Sequence, residues 1–338
     1  MKPIFYKLDF GAAFPMVANN NYIVKSLSYS AIGGCEFAEI QVVGDWNSTY
    51  SELQRIRQPV IIHDNAGNYL WWGYVADIRV GPTGVTVDGM ANRVRAKYGS
   101  LFTAWYSDPV SVAMFGTKEL IVEAGNVPLA QADELAQATL ERTKNPIAYN
   151  NSVGAEQTPI ATLYCRGWWS TLDWITTPAP LLPLDSATVI ADMIYPSEFI
   201  GGVMYILPTG VTADYPTEGQ NTRQAVEKLI SYGKISPRIG IKASVTMNRR
   251  TLIAAEGDPA KPYRLTRYDE YSSPNRLPLY RTVSPIEIVG NWCTRDDGYG
   301  RINFRYGESF FISRSTYNVS GNKIDISTRG VDQGINSI

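Results

Sequence analysis

The chain has 338 residues, long enough for two or three domains and a sizeable core. Charged residues make up only 19% and aromatic residues 12%, with 21 Tyr, 8 Trp and 28 Gly, and the net charge is −1. This balance argues against a disordered tail, a helical enzyme and a basic nucleic-acid-binding face, and favours strands, turns and large contact surfaces. Weak self-repulsion suits a subunit built into an assembly. Cys35, Cys165 and Cys293 lie far apart and are odd in number. They are expected to be small buried hydrophobes, with neither a disulfide framework nor a zinc site.

Residues 1–21 do not read as a signal peptide, because Lys7 and Asp9 interrupt the apolar run. No stretch approaches the ~20 apolar residues of a transmembrane helix. The sequence therefore predicts a chain made in the cytoplasm and soluble until it meets its partners. Tyr22–Ile32 and Glu36–Val43 predict a hairpin across Gly33-Gly34, with Ala38, Ile40 and Val42 alternating with Glu39 and Gln41. Residues 44–48 read as a loop.

Residues 58–91 predict an antiparallel meander. Gln58–Asp64 is a strand, and residues 65–68 form an Asn/Gly turn. Tyr69–Val80 alternates with period two: Leu70, Trp72, Tyr74, Ala76, Ile78 and Val80 share one face, and Tyr69, Trp71, Gly73, Val75, Asp77 and Arg79 the other. The first face reads as core. The second is partly aromatic and is expected to meet a helix, another domain or a neighbouring subunit. Gly81–Gly84 reads as the next turn, after which Val85 and Val87 face one way.

From 92 to 115 basic and aromatic residues mix: Arg93, Arg95, Lys97, Tyr98, Phe102, Trp105 and Tyr106. Such interleaving can bind single-stranded nucleic acid. With no excess positive charge, the favoured reading is a partly exposed linker whose aromatics pack on the preceding strands. A helix is predicted next, with Asn126 as N-cap, Pro128 in the first turn, and a narrow stripe of Leu129, Ala132, Ala136 and Leu140 beside Leu135. Its Ala-rich stripe implies close packing on a sheet. Pro146 stops it, and residues 145–159 read as a linker.

Ile160–Cys165 is a strand closing on Arg166-Gly167. Its cadence of apolar, x, x, charged, Gly also occurs at 85–89 and 326–330. Residues 178–183 are irregular, Ala187–Ile194 a short helix, and Phe199–Leu207 a strand. Asn221 caps a helix striped by Ala225, Val226, Leu229 and Ile230 and stopped by Gly233. Strands follow at 239–247, 251–255, 286–292, 301–306, 310–317 and 323–328, the last two joined by a tight turn at Ser320-Gly321-Asn322.

No residue set points to catalysis. The single histidine, His63, lies in a strand beside Asp64, and one imidazole cannot supply a zinc site. No serine sits in G-x-S-x-G and no cysteine in a catalytic context. Asp296-Asp297-Gly298-x-Gly300 lacks the alternating oxygens of a calcium loop and reads as a solvated turn. No phosphate-binding glycine loop occurs. No catalytic, cofactor-binding or metal-binding residues are assigned.

Three blocks carry a family resemblance. The first is Asp64, Gly67, Trp72, Gly73, Tyr74, Val75, Val85, Val87 and Gly89; the second is residues 165–173, CRGWWSTLD; the third is Gly219-Gln220-Asn221-Thr222 leading into a helix. In this order the blocks resemble the distal tail hub proteins of tailed phages and the related baseplate hubs of contractile systems. The resemblance implies a mainly β chain with two small tube-like β-barrels and one or two helix-containing inserts. Its divisions would be 1–91 (first barrel), 92–159 (aromatic and basic segment, helix and linker), 160–262 (a barrel strand plus an α+β insert) and 263–338 (strands completing the second barrel). It implies a virion structural protein, a homotrimer that closes the tail tube and joins it to baseplate or tail-tip, spike or fibre proteins. No cofactor, nucleic acid or membrane partner is implied. Two other readings are a glycan- or cell-wall-degrading tail-tip enzyme, and a carbohydrate-binding β protein stacking sugars on Trp71, Trp72, Trp168 and Trp169.

Overall fold

The structure is a computed structural model that describes residues 1–8, 13–14, 16, 18–30, 34–63, 65, 69–150, 159–178, 184–194, 197, 202–204, 212–213, 218–232, 244–246, 301–303, 309–320 and 323–328. The chain begins with β1 (Lys2–Tyr6), β2 (Ala13–Phe14), β3 (Asn21–Ser30) and β4 (Gly34–Val43), then α1 (Trp46–Ser51) running into a 3-10 turn, Glu52–Arg55. The predicted β3–β4 hairpin is present and antiparallel, and Ala38, Ile40 and Val42 are buried as the alternation requires. The predicted loop at 44–48 is instead the start of α1. Asp45 caps it by accepting the Ser48 amide at 2.9 Å, and that bond holds the Asp45 carboxyl below its ordinary range. A helix this short offers no periodicity to read.

The meander follows as β5 (Pro59–His63), β6 (Tyr69–Val80) and β7 (Thr83–Thr86). The second turn is shorter than predicted. Val80 pairs with Thr83, so Gly81-Pro82 alone makes the connection, with Gly81 at φ +54. β1, which the sequence reading left unassigned, pairs antiparallel with β5.

Residues 92–115 are not a linker. They contain β8 (Arg93–Tyr98), β9 (Leu101–Phe102), β10 (Tyr106–Ser107) and α2 (Pro109–Phe115). After β11 (Glu119–Gly125) and α3 (Leu129–Thr143), these form a small sheet of order β10-β8-β11, with β9 also on β8. β11 runs parallel to β8, the connection passing through α2. The helix α3 covers this sheet as its Ala-rich stripe foretells: Ala132, Ala136 and Leu140 pack with Ala91, Val94 and Ala96. Two details differ. Pro128, not Asn126, stands at the N-cap position, and Leu129 is exposed. Asn92 ties the unit together: its side chain donates to Gly116 O at 2.9 Å and Ser111 Oγ at 3.1 Å, and accepts from the Lys118 amide at 2.8 Å.

The segment read as a linker after α3 holds β12 (Ile147–Asn150), antiparallel to β7. Then come β13 (Ile160–Arg166), a 3-10 helix at Trp168–Trp174, β14 (Leu184–Asp185), α4 (Ser186–Ile194), β15 (Gly202–Met204), β16 (Thr212–Ala213), α5 (Thr222–Tyr232), β17 (Ser244–Thr246), β18 (Arg301–Asn303), β19 (Ser309–Asn318) and β20 (Lys323–Thr328). The expected helices at 187–194 and after Asn221 are both present. Asn221 Oδ1 accepts the Gln224 amide at 3.0 Å. β19 and β20 pair antiparallel as expected. The expected turn at Gly321-Asn322, the strands at 251–255 and 286–292, the stop at Gly233, and Cys293 lie outside the described residues.

The described protein is mainly β, with a curled antiparallel half-barrel and a few small helices. The half-barrel order is β18-β19-β3-β4-β13-β6-β5-β1-β2, with β7, β12 and β20 attached off this path. It thus takes strands from all four sequence divisions. Its core holds Phe5, Leu27, Ile40, Ile62, Ile78 and Leu163 among others.

β6 departs from a two-faced strand. Ile78 and Val80 are buried and Arg79 is exposed, as alternation demands, yet Leu70 through Ala76 are all buried. Trp71 is 0% exposed and Trp72 is 5% exposed. The pairing with β13 shifts register between Asp77 and Val75, which interrupts the alternation, and the rings of Trp168 and Trp174 cover Tyr74. Trp71→Ala and Trp72→Ala are therefore each expected to lower the unfolding free energy by about 3–5 kcal/mol. Chemical denaturation should find both losses; a loss confined to Trp72 would mean that only one side is core.

Candidate functional site

The described residues of the three blocks that carry the family resemblance converge on one joint. β13 enters between β4 and β6, pairing antiparallel with both. At its end the backbones touch. A Cβ on Gly73 would lie 2.1 Å from Arg166 O, and one on Gly167 would lie 1.7 Å from Cys35 O. Glycine is needed at both places because the obstructing atoms are backbone. The Gly167 amide then donates to Glu36 O at 2.8 Å and directs the chain into the 3-10 helix.

That helix sets rings against β6. Tyr74 meets Trp168 at 5.5 Å and Trp174 at 5.3 Å between centroids. Its hydroxyl lies 2.9 Å from Ser170 Oγ. Burial raises the Tyr74 pKa against the pull of Arg57. Arg57 lies among these rings, its guanidinium 4.4 Å from the Tyr74 centroid, 4.5 Å from Trp174 and 5.2 Å from Trp168. Its Nε donates to Phe115 O at 2.8 Å, which ties the half-barrel to α2. Arg57 has φ +72, while its amide and the Gln58 carbonyl pair with Val75. Ring faces carry negative quadrupole, so they solvate a cation that water does not reach.

The third block closes the joint. Gly219 at φ +83 donates to Thr177 O at 3.0 Å, Thr177 donates to Gln220 O at 2.8 Å, and Thr222 donates to Ile175 O at 3.2 Å. α5 then packs on the 3-10 helix. Trp169 Nε1 donates to Glu227 at 3.1 Å, and Arg223 pairs with Asp173 at 3.0 Å. Glu119 at the start of β11 accepts from the Thr176 amide and hydroxyl, both at 2.8 Å, and pairs with Arg93 at 3.1 Å. Arg95 pairs with Glu218 at 2.9 Å.

Two copies of the repeated cadence meet here as well. Val85 of β7 and Leu163 of β13 both pair with Ile78, on opposite edges of β6. The charged positions that follow them, Asp88 and Arg166, form an ion pair at 2.8 Å.

Lys118 stands beside this pair. Its Nζ is 5.2 Å from the Trp174 centroid and donates to Val87 O at 2.6 Å. Burial, with Arg57 and Arg166 nearby, brings its pKa down to about 8, although Asp88 and Asp173 act the other way.

The residues weighed for chemistry lie elsewhere or are enclosed. His63 sits at the end of β5, paired with Lys2 and Tyr69 across the sheet. Asp64 and residues 296–300 lie outside the described residues. Cys35 and Cys165 are buried and form no disulfide, and burial raises the Cys165 pKa further above the neutral range. Trp71, Trp72, Trp168 and Trp169 are all buried, so none presents an open ring face to a sugar. The basic and aromatic residues after 92 pair internally: Arg93 lies 5.0 Å from the Trp105 centroid, and Arg95 lies 4.0 Å from Phe102 and 4.5 Å from Trp105. Among the described residues no group of three or more His, Cys, Asp or Glu is placed to hold a metal ion. Arg57, Lys118 and Trp174 were not found by sequence reasoning, since each is a single residue outside any periodic pattern.

No family model matches the chain, and no curated protein matches it.

Gly73→Ala and Gly167→Ala are each expected to destabilise the fold by at least about 1–3 kcal/mol, while Val110→Ala on the exposed side of α2 should stay within about 0.5 kcal/mol. Denaturant titration of the three variants checks this.

The pH dependence follows from Lys118. The folded chain releases this proton near pH 8, the unfolded chain near the ordinary 10.5. Between those values the unfolded state holds more protons, so this residue's contribution to stability rises with pH. Subtracting the Lys118→Met stability curve from that of the unaltered chain should isolate a rise across this window. A flat difference would count against the depressed pKa.

Proposed function

We propose that the chain is a structural subunit of the tail-hub type. In this reading it closes the distal end of a phage tail tube and joins it to the baseplate or tail tip. The observation that carries the reading is the joint itself: three blocks, separate in sequence and together resembling the hub family, pack against one another on a curled antiparallel sheet. Each chain supplies two barrel-like domains, and three chains form a ring with six similar positions. A six-fold tube docks on one side of that ring and a three-fold tip on the other. The work is done by matching of shape and symmetry.

Surface composition supports the reading. Among the described residues, Val110 and Met114 on α2 are 67% and 59% exposed, and Ile23, Phe37, Leu101 and Leu129 are also open to solvent. Val110 and Met114 stand four residues apart on α2 and so share one helix face, and apolar groups exposed side by side suit a contact that stays covered in an assembly. Ring closure requires a head-to-tail contact repeated until it meets itself, and such contacts also cover sheet edges. Among the described residues no helix is long and apolar enough to cross a membrane.

The test is copy number and symmetry in the assembled object. Particle images processed without imposed symmetry should show three copies and six quasi-equivalent barrels. A monomer, or a true hexamer with one barrel per chain, would overturn the reading. Clearing of cell-wall or glycan substrate in a zymogram would replace it with a tail-tip enzyme.

A further inference from the structure

β7 and β12 are antiparallel partners that end side by side, with Thr86 opposite Ile147. Everything between them, residues 87–146, therefore leaves the half-barrel and returns to it at one place. A second closure follows a few residues on. The Ala91 amide donates to Thr143 O at 2.8 Å, and the Thr143 hydroxyl donates to Ala91 O at 2.8 Å. Two short segments, 87–90 and 144–146, join these closures. The first turns at Gly89, φ +75, and the second holds Pro146.

Beyond the second closure lies the small sheet with α2 and α3, and it has its own core. Its buried cluster, Ala91, Val94, Ala96, Ala132, Ala136 and Leu140, shares no residue with that of the half-barrel. Among the described residues, β8, β10, β11 and α3 pack with one another, and none packs broadly along a strand or helix outside the unit. Contact with the rest comes through individual side chains. Arg57 Nε donates to Phe115 O at 2.8 Å and Lys118 Nζ to Val87 O at 2.6 Å. The Thr176 amide and hydroxyl donate to Glu119, both at 2.8 Å, and Arg95 pairs with Glu218 at 2.9 Å. Gly219 leaves room for the Ile121 and Phe102 side chains.

We propose that residues 91–143 form a hinged module that swings on the half-barrel about segments 87–90 and 144–146, latched shut by the contacts of Glu119, Arg95 and Lys118. Rigid bodies joined by a few connecting residues move by hinging, and the motion is blocked only where a large apolar interface joins them. Here each body keeps its own core, and the latch is made of separate polar contacts. Two connections side by side define one axis. The module can tilt about the line through them, whereas any other rotation must twist both. Opening parts Ile121 and Phe102 from Gly219, lifts Lys118 off the Trp174 ring and takes Phe115 O from Arg57. The ladders of β8 with β10 and β11 survive, because they lie within the module. The inference does not rest on the tail-hub reading.

The experiment uses the full chain, with spin labels attached through azide side chains incorporated in place of Asn47 on α1 and Gln131 on α3, both exposed. A second pair, in place of Lys2 and Asn47, lies wholly outside the module. Pulsed electron resonance on the otherwise unaltered chain should give one narrow distance for each pair. With Glu119→Ala and Glu218→Ala together, the first pair should gain a second population displaced by roughly 10 Å, as for a tilt of about 30° acting over the ~20 Å length of β8. The second pair should not move. Glu218→Ala alone, at a partly exposed position, should show the same population in smaller amount. Hydrogen exchange should find β8 and β13 as protected in both variants as in the unaltered chain. A first-pair distance unmoved by either variant, a shift of the second pair, or lost protection in β8 or β13 would each overturn the inference.

Discussion

Backbone contact at Gly73 and Gly167 is the constraint on which the remaining structure depends. These two glycines let β4, β13 and β6 approach until carbonyls occupy the space of side chains. The 3-10 helix can then begin directly at the end of β13, and its rings fall onto Tyr74. With the rings in place, Arg57 finds ring faces and the Phe115 carbonyl in the interior. A buried guanidinium without such partners would be costly, so the cage and the cation require each other. Through Phe115 and Lys118 the same cage fixes the small sheet to the half-barrel. The glycines are thus upstream of contacts that they do not touch.

The sequence exposed this arrangement unevenly. The stripes of α3 and α5 and the alternation of β4 and β6 were legible, because each is a local period imposed by one buried side. The full enclosure of Leu70 to Ala76 was not, since the register shift between Val75 and Asp77 and the rings set on Tyr74 both depend on segments far later in the chain. Asp45 was visible as a turn residue but equally suited to a cap, and six helical residues gave no stripe to decide between them. β8 failed for a different reason. Arg93, Arg95 and Lys97 sit on one side of it and suggest an exposed segment, whereas Arg93 and Arg95 lie on Trp105 and Phe102 and pair with Glu119 and Glu218. A basic and aromatic alternation that looks outward in sequence is satisfied within the protein. Arg57 and Lys118 stood in no pattern at all; only their neighbours in space distinguish them.

The repeated cadence gains content from the fold. Its first two instances flank β6 as near-equivalent edges, and their charged positions are opposite in sign and joined as a pair. Two segments of one cadence thus flank a central strand, and their charged positions, opposite in sign, meet as a pair. Arg166 closes that pair while its own carbonyl abuts Gly73, so the end of β13 combines backbone and charge contacts in one residue.

The insertion of β13 between β4 and β6 also orders events during synthesis. The β3–β4 hairpin and the β5–β6–β7 meander emerge first, with the edges of β4 and β6 that β13 will fill left open. Everything needed for the small sheet, from β8 through α3, is made before β13 appears, and its contacts are close in sequence. That unit can therefore complete itself while the two edges wait. Contacts of long sequence separation form slowly because loop closure precedes their reward. The interval between the making of Val80 and that of Arg166 is when open edges can pair with another nascent chain. A chaperone that shields strands would serve this protein most in that interval, before the small sheet docks and the ring of aromatic groups closes over Arg57.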